Sequence, residues 1–414
     1  MSLTLAPPAD RGMSSWRHQL PVYSPLSPAA LFAGLRAAAR PGPDERAEEQ
    51  LVALLTERYA PKAVLLTESG TAALTAALRG VLRDGARAPV AVPAFSCYDL
   101  ATAADGADAP VLLYDIEPHS LAPDLASLRA TLRQGAAAVV VVHLYGCPVD
   151  LAEINRLAAE TGAVVIEDAA QAVGTTLDGR PAGTQSSLAV LSFGRGKGLT
   201  GGSGGALLAY DDAGERVLAR AGALLGAPRL GWRELWSLAA QLLLARPSLY
   251  VLPARLPFLR LGQTVYREPR PLRAAATACC AVAAATWTIA EREVEARRRH
   301  AERLLVELRQ QPAFEIIRTL RHARPGYLRL PVLGSPAVQR LAGDGAARRL
   351  GVMPGYPKAL CDLQRFAPRC LNRDAAFPGS RSLAGGLCTF PTHGRLGARD
   401  LARLEQWIRA VGGG

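Results

Sequence analysis

AAVVVVHLYGCPVDLAEINRLAAETGAVVIEDAAQAVG, residues 137–174, is the stretch that decides the fold. Its first run, AAVVVVHLYG (137–146), opens on six apolar residues with four consecutive valines, the pattern of a buried strand. DLAEINRLAAETG (150–162) then places apolar residues at helical spacing and ends on a glycine suited to the left-handed helix stop. GAVVIEDA (162–169) returns as a second strand. A strand-helix-strand unit of this length predicts a right-handed crossover between parallel neighbours. Outward from it, similar runs recur at AVLLTES (63–69), PVAVPAF (89–95), APVLLYD (109–115), LAVLSFG (188–194) and GGALLAY (204–210). Strands alternating with helical patterns between about 60 and 210 predict an α/β fold with a mostly parallel sheet.

The flanks differ from this core. Residues 1–44 read as an N-terminal arm. Residues 45–290 read as the large domain, interrupted at 221–265 by LWSLAAQLLLARPSLYVLPARLPFLRLG and its neighbours, where Pro247, Pro253 and Pro257 break an aromatic- and leucine-rich run. This reads as an inserted helical hairpin. Packing against a partner subunit is its favoured role; resting on a membrane surface is the rival, because Trp232, Trp236 and several arginines suit such an interface. AAATACCAVAAATWTIAEREVEARRRHAERLLVEL (274–308) predicts one or two long helices. Residues 291–414 read as a smaller C-terminal α+β domain, with strands in PGYLRLPVL (325–333) and GGLCTFPTH (385–393) and a closing helix over 398–411.

At 414 residues, with 49% apolar and 20% charged composition, the chain can bury a large core and form two domains. The first twenty residues lack the basic start and apolar run of a secretory signal, and no later run reaches membrane-span length, so the expectation is a cytoplasmic protein. Seven cysteines without paired CxxC spacing indicate neither a disulfide framework nor a zinc site, and no metal is expected. The net charge of +12 suits an anionic ligand such as a phosphate ester. It is carried almost entirely by arginine, with lysine only at positions 62, 197 and 358. No basic run is interleaved with aromatics, which argues against nucleic acid.

One of those lysines stands in SFGRGKGLTGGSGGALL (192–208), a glycine-crowded loop between two strands that something must approach closely. A Walker phosphate loop is excluded, since Leu191 and Gly198 stand where it needs a glycine and a Ser or Thr. A dinucleotide loop fails because a strand follows, not a helix. A desolvated lysine amine is a good nucleophile toward a carbonyl, and Ser192 lies five residues before Lys197 to meet a phosphate. This is the pattern of a pyridoxal-phosphate (PLP) site, with a surface lysine as the plain alternative. Asp168 stands at the carboxyl edge of the sheet, where it can pair with a pyridinium nitrogen or simply cap a helix. TESGTAALTAAL (67–78) runs from strand through a Ser-Gly-Thr turn into a helix, so the amides of Gly70, Thr71 and Ala72 can hold a phosphate; it is also an ordinary helix start.

Taken in order, SGTAAL, VPAFSCYDLATA (92–103), HLYGCPVDL (143–151), EDAAQAVG (167–174), SFGRGKGLTGGSGGAL (192–207) and CTFPTHGRL (388–396) resemble the DegT/StrS family of PLP-dependent sugar aminotransferases, within the fold-type-I aminotransferases. The resemblance spans roughly residues 45–410. It implies a fold-type-I PLP transferase, an α/β large domain with a mostly parallel mixed sheet flanked by helices and a small C-terminal α+β domain. It further implies a homodimer with the active site at the subunit interface, an amino-acid donor such as glutamate, and a keto-sugar acceptor linked to a nucleotide. Carried over by position, Lys197 is the Schiff-base lysine and then the proton carrier, and Asp168 holds the pyridine nitrogen. Gln171 lies near the phenolic oxygen, and Gly70, Thr71, Ala72 and Ser192 receive the phosphate. Cys97 stands where the family usually has an aromatic against the ring face, with Tyr98 as the neighbouring candidate.

The lysine loop departs from the family pattern. Gly194, Gly198 and Ser203 replace the usual His, Asn and Glu. The segment QTVYREPRPLRAAAT (263–277), where a partner normally sends residues toward the phosphate, matches only through Arg267 and Arg270. His143 and His393 fall in matching segments but read as structural. Two alternatives stay open at this point: a sugar dehydratase of the same fold, which resembles this chain with histidine in place of the lysine, and a regulatory PLP-fold protein without turnover.

Overall fold

The computed structural model describes residues 18–40, 45–82, 87–244, 248–250 and 264–413. Residues 245–247 and 251–263 of the 221–265 insert, with Pro247, Pro253 and Pro257, therefore lie outside the described residues. The central sheet has seven strands: β1 (Ala63–Thr67), β2 (Val90–Pro93), β3 (Val111–Tyr114), β4 (Ala138–Val142), β5 (Val164–Asp168), β6 (Leu188–Ser192) and β7 (Gly205–Ala209), in spatial order β1-β7-β6-β5-β4-β2-β3. All pairings are parallel except those of β7, which runs antiparallel to both neighbours. The mixed, mostly parallel sheet expected from the apolar runs is what forms. All five residues of β4 are buried, as a strand covered on both faces must be.

Helices α1 (Pro28–Ala38), α2 (Glu45–Tyr59), α3 (Gly70–Leu82), α4 (Tyr98–Gly106), α5 (Leu125–Leu132), α6 (Ala152–Thr161), α7 (Asp212–Ala223) and α8 (Trp232–Leu244) flank the sheet. The quoted crossover is β4-α6-β5, and α6 stops at Gly162 with φ +73°. One continuous helix, α9 (Thr277–Leu308), takes up the alanine- and arginine-rich run. Its first half packs Cys280, Ala283 and Ala284 into the core beside the sheet. Its second half packs Ala301, Leu304 and Leu308 into a separate core with Phe390 and Trp407. A single helix thus contributes to both cores. Beyond it lie β8 (Phe314–Ile316), β9 (Leu330–Gly334), β10 (Met353–Pro354) and β11 (Leu387–Phe390), an antiparallel sheet in order β8-β9-β11-β10, closed by α10 (Ala398–Gly412).

Among the described residues, no helix is long and apolar enough to cross a membrane.

Candidate active site

The carboxyl ends of β1, β5 and β6 lie along one edge of the sheet, where open α/β folds bind ligands. At the end of β1, Ser69 caps α3: its Oγ accepts the Ala72 N–H at 3.0 Å. Ser192, the last residue of β6, sits against this helix start; a Cβ on Gly70 would fall 2.7 Å from the Ser192 Cβ. A Cβ on Gly205, paired with Ser192 across β7, would fall 2.5 Å from the Gly70 nitrogen. Glycine at both positions is the condition for bringing the serine hydroxyl to the helix N-terminus. Gly70, Thr71 and Ser192 are therefore brought together as expected, whereas the Ala72 amide is already engaged by Ser69. The cup is a helix N-terminus whose leading amides have no intrahelical acceptor, with a buried hydroxyl beside them, which fits a phosphate.

Asp168 ends β5, and its Oδ1 accepts the Ala170 N–H at 3.0 Å. Burial pushes its carboxyl up, while that N–H and the Lys197 charge pull it down. Lys197 and Asp168 thus share one electrostatic environment, which extends to Cys97: burial pushes the thiol up to about 12, with the Asp99 charge raising it further and Lys197 opposing. Cys97 is the N-cap residue of α4, and its Sγ donates to Asp99 Oδ2 at 3.6 Å. Tyr98 is buried and donates to the Lys358 carbonyl at 3.4 Å. The Ser96 hydroxyl beside Cys97 is buried without a hydrogen-bond partner among the described residues.

Gln171 uses both ends of its amide. Its Oε1 accepts the Tyr145 N–H at 3.0 Å and its Nε2 donates to the Tyr356 hydroxyl at 2.9 Å. The Tyr356 ring stacks on Tyr145 with centroids 5.7 Å apart, and meets Phe95 at 5.4 Å and Tyr98 at 6.4 Å. Tyr145 itself adopts φ +57° in the turn after β4. Sequence reasoning missed Tyr356 and this aromatic wall, because Tyr356 lies 185 positions from Gln171 and no local pattern joins them.

The glycines around Lys197 are explained mainly by the chain's own packing. A Cβ at Gly198 would meet the Val173 Cβ at 2.7 Å and Arg297 Nη1 at 3.2 Å; one at Gly201 would meet the Cys279 carbonyl at 2.5 Å; one at Gly202 would meet Leu238 at 2.7 Å. Ser203 donates to the Glu68 carbonyl at 2.5 Å. Gly196 takes φ +77° and its N–H donates to Ser24 Oγ at 2.6 Å, so the N-terminal segment lies on the lysine turn. Arg297, 1% exposed, lies beneath and donates to the Tyr23 carbonyl at 3.0 Å; Arg297 and Ser24 were also missed from the sequence.

Both ring nitrogens of buried His143 are occupied: Nδ1 accepts the Val149 N–H at 3.0 Å, so the proton sits on Nε2, 2.6 Å from Glu167 Oε1. Glu167 also accepts the Gly183 and Gln185 amides. His393 Nε2 is 2.8 Å from the Leu20 carbonyl. Arg267 and Arg270 are exposed; the Arg267 carbonyl accepts from Thr102 Oγ1 at 2.7 Å.

Residues 39–236 match the DegT/DnrJ/EryC1/StrS aminotransferase family, as the resemblance implied. The chain is 37% identical over 154 residues to the L-glutamine:2-deoxy-scyllo-inosose aminotransferase of Streptomyces kanamyceticus, covering 37% of this chain and 34% of that protein. It is 36% identical over 151 residues to the UDP-N-acetyl-3-dehydro-alpha-D-glucosamine 3-aminotransferase of Acidithiobacillus ferrooxidans, covering 36% and 41%. The matched part is thus between a third and just over two fifths of these relatives' own length. The fold is similar to that of Helicobacter pylori PseC, an aminotransferase in pseudoaminic acid biosynthesis (TM-score 0.76, 15% identity, 96% of this chain and 100% of that one). It is also similar to that of the aminotransferase TlmJ of Streptoalloteichus hindustanus (TM-score 0.75, 23% identity, 95% and 98%).

Proposed function

We propose that this chain, identified through residues 39–236 with the DegT/DnrJ/EryC1/StrS aminotransferase family, is a PLP-dependent aminotransferase that moves an amino group from an amino acid to a keto-sugar. The observation that carries the reading is the convergence of three groups on one sheet edge: the Lys197 turn, the Asp168 carboxyl within its electrostatic reach, and the Gly70–Ser192 cup. Bound here, PLP would supply an aldehyde to carry the amino group and an electron-withdrawing ring. The phosphate would sit on the amides of Gly70 and Thr71 and on Ser192 Oγ, the aldehyde carbon on Lys197 Nζ, and the ring nitrogen on Asp168. Asp168, pushed up by burial, is stabilised as a carboxylate by a cation facing it, which suits a protonated ring nitrogen. Gln171, clamped by Tyr145 and Tyr356, would face the phenolic oxygen, with Cys97 or Tyr98 toward the ring face. Lys197 Nζ would serve as the base for the donor's Cα proton and return that proton as an acid.

The donor we read is glutamate, with glutamine as the second reading because a relative's name specifies it. The acceptor we read is a nucleotide-linked keto-sugar in polysaccharide, lipopolysaccharide or antibiotic-sugar synthesis, in keeping with the UDP-sugar named for the second relative. A homodimer with its active sites at the interface is the assembly we read with it. The purified protein mixed with PLP should absorb in the visible and be bleached by borohydride. Lys197→Ala should abolish the bleachable colour and lower turnover by about 10²-fold or more. A wild-type protein that stays colourless with PLP overturns the assignment. A coloured protein whose spectrum neither glutamate nor glutamine changes would mark a PLP binder without transaminase activity.

A further inference from the structure

Helix α8 carries two apolar faces. Leu235 and Leu238, 2% and 0% exposed, pack against α1 and α9 with Ala30, Ala278 and Val282. The outward side carries Trp232, Trp236, Ala240 and Leu243, which at helical spacing fall within an arc of about 80°. Trp236 is 76% exposed and Leu243 69%, so the outward stripe is apolar and uncovered among the described residues. Beside it, α1 turns Phe32 and Leu35 outward, 60% and 38% exposed, while its Ala30 and Ala38 pack into the same small core. A solvent-facing helix is normally polar on its outer side, and two exposed tryptophans on one stripe call for a partner.

Charge decides which partner fits. Arg36 on α1 and Arg233 on α8 are exposed beside the stripe, against the single acid Glu234 on α8, in a chain of net charge +12. A second copy docking through this face would set arginine against arginine, whereas an anionic lipid surface meets the rim with opposite charge. Tryptophan and leucine facing one way with arginines at the edge is the pattern of a helix lying in the headgroup layer. The 13 residues of α8 are too few to span a bilayer. We propose that the outer face of α8, with Phe32 and Leu35 of α1, docks the protein onto anionic membrane surfaces. This is independent of the chemistry at Lys197.

The test is flotation of the full-length protein with vesicles of phosphatidylcholine alone or of phosphatidylcholine with about a quarter phosphatidylglycerol. The wild type should float with the anionic vesicles and detach as salt is raised. Trp236→Asp with Leu243→Asp should lower the partition coefficient by about tenfold or more, and Arg233→Glu by roughly fivefold. These side chains are exposed, so an unchanged circular dichroism spectrum and melting temperature accompany the loss. A folded wild type that does not float, or a double variant that floats equally well, overturns the proposal. If the wild type does not float but self-associates in lipid-free sedimentation, and the double variant does not, the stripe belongs to a second copy of the chain.

Discussion

At Asp168, burial opposes ionisation while one backbone N–H and the Lys197 charge favour it. Asp168→Asn keeps the shape and removes the charge, so it should weaken PLP binding by roughly 10- to 100-fold, the worth of a hydrogen bond to a charged group; a fluorescence titration of PLP reads it. At Gly198 the physical constraint is steric. Gly198→Asn, which restores the residue the family commonly carries, should lower stability by about 1–3 kcal/mol, because its Cβ would overlap Val173. Urea unfolding checks this, and an unchanged midpoint would refute the packing account. His393 is held neutral by burial, its pKa lowered to about 3. The unfolded chain takes up a proton below about pH 6.5 that the folded chain refuses, so stability falls as pH drops from there toward 3, by at most about 1.4 kcal/mol per pH unit. His393→Gln should flatten that part of the acid limb in melting curves. Lys197, Asp168 and the Ser-Gly-Thr turn could be proposed from the sequence because each is a local pattern, a lone lysine among glycines or a polar residue ending an apolar run. Tyr356 was not, because what places it is a contact between segments far apart in the chain.

At the scale of elements, the cup depends on how α3 begins. Ser69 spends its hydroxyl on the Ala72 amide, leaving the earlier amides of the turn for a ligand. Ser69→Ala should therefore cost about 1 kcal/mol of stability and also weaken PLP binding. A melting curve combined with a PLP titration separates the two effects. Gly205→Ala on β7 should be more damaging to the cup, since its Cβ would press directly on the Gly70 nitrogen. The glycine crowding that first marked the lysine loop has two physical sources that a sequence does not distinguish. Most of these glycines admit a neighbouring strand, helix or buried arginine, while Gly196 supplies a left-handed turn next to the lysine.

Across the whole molecule, the segment before α1 ties the two cores to the lysine turn. Buried Arg329, on the C-terminal sheet side, donates to the carbonyls of Pro21, Gly351 and Thr389; Arg297 donates to Tyr23; His393 faces Leu20; and Ser24 accepts from Gly196. Removing residues 1–27 would leave two buried guanidinium groups short of acceptors, at about 1–3 kcal/mol each. Such a truncation should unfold at markedly lower denaturant and bind PLP less well. A truncated protein as stable as the full chain would show that other groups replace these acceptors.

The sequence by itself determined the seven-strand alternation, the β4-α6-β5 crossover and the family resemblance, because these depend on periodicity and on chemistry within short segments. Only the tertiary structure decided that β7 runs against its neighbours and that one helix serves both cores. It also decided that Tyr356 clamps Gln171, that Arg297 lies under the lysine turn, and that α8 turns a second apolar face outward. Each of these depends on which distant surfaces meet, and side-chain order along a chain does not specify that.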